Sequence, residues 1–101
     1  MHKLTLLYGH PANPEAFEEH YLHTHLPLAA KMEGVLRLEL TKFHAAPDGS
    51  KPAFYRMAEL YYPGQVEIEK SLRSPSGQAA AGDLPNFATG GYTFIIGTAE
   101  F

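Results

Sequence analysis

The sequence predicts an α+β fold in the order β-α-β-β-α-β. Three observations predict it. Four short segments carry the two-residue alternation or aromatic enrichment of half-buried strands. Two stretches between them carry cap-then-proline starts and helical spacing. A loop, Ala46-Pro47-Asp48-Gly49-Ser50-Lys51-Pro52, joins the middle two strands into a hairpin.

In the first strand Leu4, Leu6 and Tyr8 alternate with Lys3, Thr5 and Leu7, and Gly9-His10-Pro11 closes it. Asn13 offers an N-cap, Pro14 suits the first helical position, and Glu15 favours the positive helix start. Phe17, Tyr21 and Leu28 fall on one stripe of this helix. Pro27 cannot donate to the carbonyl of His23, so a kink or break is expected there, and Gly34 ends the element. Val35 to Phe43 reads as the second strand and Phe54 to Tyr62 as the third. Pro63-Gly64 precedes a short helix from Val66 to Leu72. Ser74-Pro75 starts another helical stretch through Ala81, which Gly82-Asp83 interrupts. Leu84-Pro85-Asn86-Phe87 is a turn, and Tyr92 to Gly97 is the last strand.

This is the ferredoxin-like split βαβ plan, a four-stranded antiparallel sheet under two helical layers. The helices cover one face. The alternation puts Leu36, Leu38, Leu40 and Met57 on some faces and Val35, Phe43, Phe54, Leu60 and Phe94 on others. A bare face with such groups exceeds what a monomer usually exposes, so a homodimer is expected. The alternative is a half-polar open face with scattered aromatics.

A chain of 101 residues is expected to form one domain, residues 1–101. The eight Lys and Arg are scattered and the formal net charge is -3, which argues against nucleic acid and against an anionic membrane as partners. With no Cys, thiolate nucleophiles and Cys-ligated metals are excluded. No apolar run approaches the roughly 20 residues that span a bilayer. Met1-His2-Lys3 lacks the pattern of a signal peptide, and the expected location is cytoplasmic.

Six His invite a search for chemistry. At about 100° per residue, His20 and His23 share the polar side of the helix near Glu19, while His25 falls near Tyr21 and Leu28. The three do not converge on a regular helix, so no metal site is expected, and His20 and His23 read as solvated. His25 shares a stripe with Phe17 and Tyr21 beside Pro27. A group of near-neutral pKa among aromatics suits a general acid or base; the plainer reading is a core-edge His bonded to the backbone. Asp83 reads as a helix cap or as the orienter of an imidazole. Tyr8, Tyr61 and Tyr92 read as packing residues with wet hydroxyls. Arg37, Glu39, Arg56 and Glu59 read as cross-strand ion pairs.

Tyr8-Gly9-His10-Pro11, Phe17, His25-Leu26-Pro27-Leu28 and Gly34 resemble the first half of an EthD-family domain. Ser74-Pro75-Ser76-Gly77 and Asp83-Leu84-Pro85-Asn86-Phe87 resemble its second half. The family takes its name from a bacterial gene cluster for degrading ethyl tert-butyl ether. The chain departs in Glu33-Gly34, where the family commonly has Pro-Gly. The resemblance implies a dimeric α/β barrel with a pocket between sheet and helices. Some relatives are linked to degradation of small organic molecules, and some fungal relatives act on aromatic polyketides as dehydratases or decarboxylases. Family-pattern residues carried over are His25, Asp83, Asn86 and Phe87. His25 and Asp83 are then the catalytic candidates, and Tyr8, Phe17, Tyr21, Asn86 and Phe87 the ligand-binding ones. The expected function is handling of a small hydrophobic, oxygenated molecule, by a cofactor-free lyase or oxidoreductase with His25 as acid or base. The alternatives are a non-catalytic binder or accessory subunit of a degradation system, and a haem protein, since other dimeric α/β barrels bind haem.

Overall fold

The structure is a computed structural model and describes residues 1–100. Its strands are β1 (His2–Tyr8), β2 (Arg37–Lys42), β3 (Arg56–Tyr62) and β4 (Tyr92–Thr98). Its helices are α1 (Pro14–His20), α2 (Leu26–Ala30), α3 (Gln65–Arg73) and α4 (Pro75–Asp83). A π-helical turn, Tyr21–His25, joins α1 to α2, and a 3-10 turn, Leu84–Asn86, follows α4. The sheet order is β2-β3-β1-β4, with every pair antiparallel, as the ferredoxin-like plan requires.

Local chemistry starts the helices. Asn13 Oδ1 accepts the N–H of Ala16 at 3.1 Å, and Ser74 Oγ accepts that of Gly77 at 3.2 Å, each just before a proline. Gly77 is fixed by packing, because a Cβ there would overlap the carbonyl of Ser71 where α4 crosses α3. Gly82 does not interrupt the helix as expected; α4 runs through it to Asp83. One glycine in an interior costs only about 1 kcal/mol, which packing overrides. β2 and β3 are shorter than the sequence suggested, β2 at both ends and β3 at its start. Val35, Phe43 and Phe54 lie outside β2 and β3.

The register corrects the reading of the faces. Leu38 pairs with Leu60, Leu60 with Leu4, and Leu6 with Phe94. Directly paired residues share a face, so Leu38, Leu40, Leu60 and Phe94 stand together on the helix side. There Leu4, Leu60 and Ile68 are fully buried with Tyr8, Phe17, Tyr21 and Tyr62 in one core. Each large side chain so buried contributes roughly 1.5–3 kcal/mol. The bare face carries Leu7, Met57, Tyr61 and Ile95 among Lys3, Glu59, Arg37 and Glu39. It is the half-polar alternative, not a second apolar face. Lys3 Nζ meets Glu59 across strands at 2.6 Å. Arg37 pairs along its own strand with Glu39 at 3.4 Å. Arg56 points the other way and pairs with Glu18 of α1. Large apolar groups are exposed chiefly on the outer strands, at Leu40, Tyr92, Phe94 and Ile95, and at Leu36 just before β2.

Candidate functional site

The site forms because the helix after α1 is wound too wide. Residues five apart on a regular α-helix point about 140° from each other. In the π turn the N–H of Leu26 reaches back five residues to the carbonyl of Tyr21. Pro27 follows directly and has no N–H to restore the α register. The expected break is thus a widened turn through which the helix continues. It brings His20 and His25 to the same side.

Both then meet Asp83 at the end of α4. His25 Nδ1 lies 3.0 Å from Asp83 Oδ2, and His20 Nε2 lies 2.8 Å from Oδ1 and 3.0 Å from Oδ2. Asn86 Nδ2 donates to Oδ1 at 3.0 Å. His25 is 3% exposed and Asp83 7%. Burial pushes the Asp83 carboxyl up, but donors from Asn86, His20 and His25 outweigh it and hold the pKa below its usual value. An ionised carboxylate only accepts, so each imidazole presents an N–H to it. His25 is pulled below its ordinary pKa by burial, which outweighs the Asp83 bond. Burial thus favours the neutral imidazole, and the Asp83 carboxylate favours the tautomer with the proton on Nδ1 and the lone pair on Nε2. Asp83 makes no cap hydrogen bond; its oxygens serve the two imidazoles and Asn86.

His20 corrects the reading of it as solvated. Its ring stacks on Phe87, centroids 5.2 Å apart and planes 14° from parallel. Phe87 also packs 4.6 Å from the His25 ring. His23 does point outward, beside Glu19 at 3.7 Å. Among the described residues no group of three or more His, Cys, Asp or Glu is arranged to hold a metal ion. In the Asp83 cluster the nitrogens and oxygens are turned toward one another.

A cavity of about 300 Å³ lies between the sheet and the helices. His25, Tyr8 and Tyr21 belong to its wall, and so do Leu4, Leu60, Met32 and Ala80. Tyr92 and Phe94, 46% and 44% exposed, stand on β4. Its lining is overwhelmingly apolar and includes no Lys, Arg, Asp or Glu. Three expected ligand-binding residues are absent from the wall. Phe17 is held away because its ring packs edge-on into Tyr8, Tyr55 and Phe87. Asn86 and Phe87 instead hold the Asp83 carboxylate and the two imidazoles. Tyr8 does not have the wet hydroxyl expected of it. The hydroxyls of Tyr8 and Tyr21 are both buried without a hydrogen-bond partner among the described residues. Sequence reasoning missed His20 and most of the apolar wall. The alternation of Leu4, Leu6 and Tyr8 was a usable signal for the wall; nothing in residue spacing announced the π turn.

The EthD domain model matches residues 10–91. The chain is 40% identical over 100 residues to an uncharacterized 11.0 kDa protein in the thcB-thcC intergenic region of Rhodococcus erythropolis, covering 99% of this chain and 96% of that one. The crystal structure of an EthD family protein from Bacillus halodurans superimposes with a TM-score of 0.93 at 35% identity, over 99% of both chains. Two more distant structures share the fold alone. SnoaB from Streptomyces nogalater, a cofactor-independent oxygenase, gives 0.65 at 18% identity over 99% of this chain and 92% of its own. A dimeric ferredoxin-like protein from Thermobifida fusca gives 0.72 at 10% identity over 97% and 90%. On the matched domain and these two close relatives, the chain belongs to the EthD family.

Proposed function

We propose that the protein takes a small hydrophobic, oxygenated organic molecule into the cavity between sheet and helices, and that His25 Nε2 moves a proton on it. The observation that supports this most is the state of His25. Burial favours its neutral form, its Nδ1 is anchored to a carboxylate, and its ring stands in a largely apolar wall. A base needs its lone pair toward the substrate and its other nitrogen held, and Asp83 does the holding. Such proton transfer itself needs no cofactor; in a lyase it is redox-neutral, whereas an oxidation would also need molecular oxygen as the oxidant. A relative in fold, SnoaB, is described as a cofactor-independent oxygenase.

A non-catalytic binder is the second reading. It is favoured by the scarcity of titrating groups, since His25 is the one lining residue that ordinarily titrates near neutrality. Native mass spectrometry of the purified protein would identify a retained ligand. Wild type should then convert that ligand, and His25→Asn should bind it without conversion. Binding with no conversion by wild type would leave the binder reading. Equal conversion by His25→Asn would remove His25 as the base.

Two copies are proposed to pair. The support is the set of exposed apolar side chains on the outer strands, and the description of a fold relative from Thermobifida fusca as dimeric.

A further inference from the structure

His25 bonds to Asp83 through Nδ1, at 3.0 Å, and makes no hydrogen bond through Nε2 among the described residues. The side-chain polar atoms sealed inside without a partner are His2 Nδ1 and the hydroxyls of Tyr8 and Tyr21. Nε2 of His25 is not one of these; it stays within reach of a water molecule. His25 lines the cavity, while Asp83 lies behind the ring and outside the wall. The reachable nitrogen therefore opens on the cavity, and folded proteins leave few such buried groups unpaired.

The bond to Asp83 decides what Nε2 can do. A carboxylate only accepts, so it draws the imidazole proton to Nδ1 and leaves the lone pair on Nε2. We propose that His25 Nε2 accepts from a hydroxyl of the ligand, so the cavity selects uncharged alcohols and phenols over ketones and ethers of the same size and over carboxylates. This rests on the cavity being the ligand site proposed above, and it needs no turnover. A ketone or an ether has only lone pairs to set against that of Nε2, and both groups would stay unpaired. An anion would lose its water, find no Lys or Arg in the wall, and face the Asp83 carboxylate behind the ring. A cation finds no free acid, because Asp83 is occupied by His20, His25 and Asn86. Burial holds back the protonation that would turn Nε2 into a donor. Tyr92 lines the cavity too, but a phenol donates and accepts alike and does not discriminate. A dry apolar cavity of about 150 Å³ takes benzene. At about 300 Å³, this one has room for a ring and its substituents.

The test uses probes of matched size that share a benzene ring: 1-phenylethanol, acetophenone, isopropylbenzene and benzoate. Affinities are measured by calorimetry for wild type and Asp83→Asn, and nitrogen NMR follows the His25 Nε2 signal. Wild type should bind the alcohol about 10-fold more tightly than the ketone, with benzoate weakest. The alcohol should shift the Nε2 signal and the ketone should leave it in place. In Asp83→Asn an amide replaces the carboxylate, the tautomer is released, and the preference for the alcohol should fall toward parity. A ketone or benzoate bound as tightly as the alcohol by wild type would overturn the proposal. So would an Nε2 signal that ignores the alcohol, or the full preference surviving in Asp83→Asn. If that variant does not fold, the wild-type affinities and the Nε2 shift decide alone. No measurement here involves turnover, so a failure of His25 as a base leaves these results intact. Binding of isopropylbenzene without a preference for the alcohol would sink this proposal and keep the cavity as the ligand site. Binding of none of the probes would overturn both.

Discussion

His20 and His25, five positions apart in sequence, hand their ring nitrogens to the two oxygens of one carboxylate, at 2.8 and 3.0 Å. Only the π turn makes this possible, and it gives the site its asymmetry. His25 is buried and lines the cavity, while the His20 side chain keeps 28% of its surface in solvent. Asp83 therefore links a dry imidazole to a wet one.

Removing the inner imidazole should be felt in stability. His25→Ala takes one donor from a buried carboxylate and leaves a void, and should cost about 2 kcal/mol in urea unfolding. His25→Asn keeps a donor in reach and should cost less. His23→Ala should cost nothing measurable, since His23 lies at the surface.

Asp83→Asn should cost more, about 3 kcal/mol, because it sets an amide N–H among three donors. It should also release the His25 tautomer. Nitrogen NMR should show Nδ1 protonated in wild type and a mixed population in the variant. His20→Ala should cost about 1 kcal/mol and leave the His25 tautomer intact, because Oδ2 still accepts from Nδ1.

For pairing, sedimentation equilibrium at micromolar concentration should give about twice the chain mass of 11.1 kDa. Ile95→Lys, on the bare face, should shift the equilibrium toward single chains. A wild type that sediments as one chain would leave Leu36, Leu40 and Ile95 exposed without an occupant.

The fold was legible because its signals are local. Asn13-Pro14 and Ser74-Pro75 cap the helices they were expected to cap, and the alternation at Leu4, Leu6 and Tyr8 marks a real core face. The faces of the remaining strands were not legible, because alternation fixes which residues share a face within a strand and says nothing about register between strands. Leu38, Leu60 and Phe94 could be aligned only by the pairing itself. The site failed for a similar reason. His25 and Asp83 stood out by residue type, but His20 was assigned by a helical phase that the π turn does not obey.

The acid sensitivity of the protein follows from the same cluster. The folded pKa of His25 lies below its ordinary 6.5, chiefly through burial. As pH falls below 6.5, the unfolded chain takes up a proton that the folded chain resists. The unfolded state then binds more protons, so stability rises with pH across this window and is lost as pH falls through it. Asp83 acts lower down. Its folded pKa is below 3.8, burial being outweighed by its three donors, so its contribution is present above 3.8 and is lost as pH falls toward the folded value. Glu18, held at about 2 from an ordinary 4.5 by its bonds to Arg56, has the same sign and begins to lose its contribution as pH falls below 4.5. Urea midpoints measured against pH should therefore fall in two stages, one beginning near 6.5 and one beginning near 4.5. The first should vanish in His25→Asn and survive in His23→Ala. Persistence of the upper stage in His25→Asn would assign it to another imidazole and would mean that His25 is not held neutral by burial.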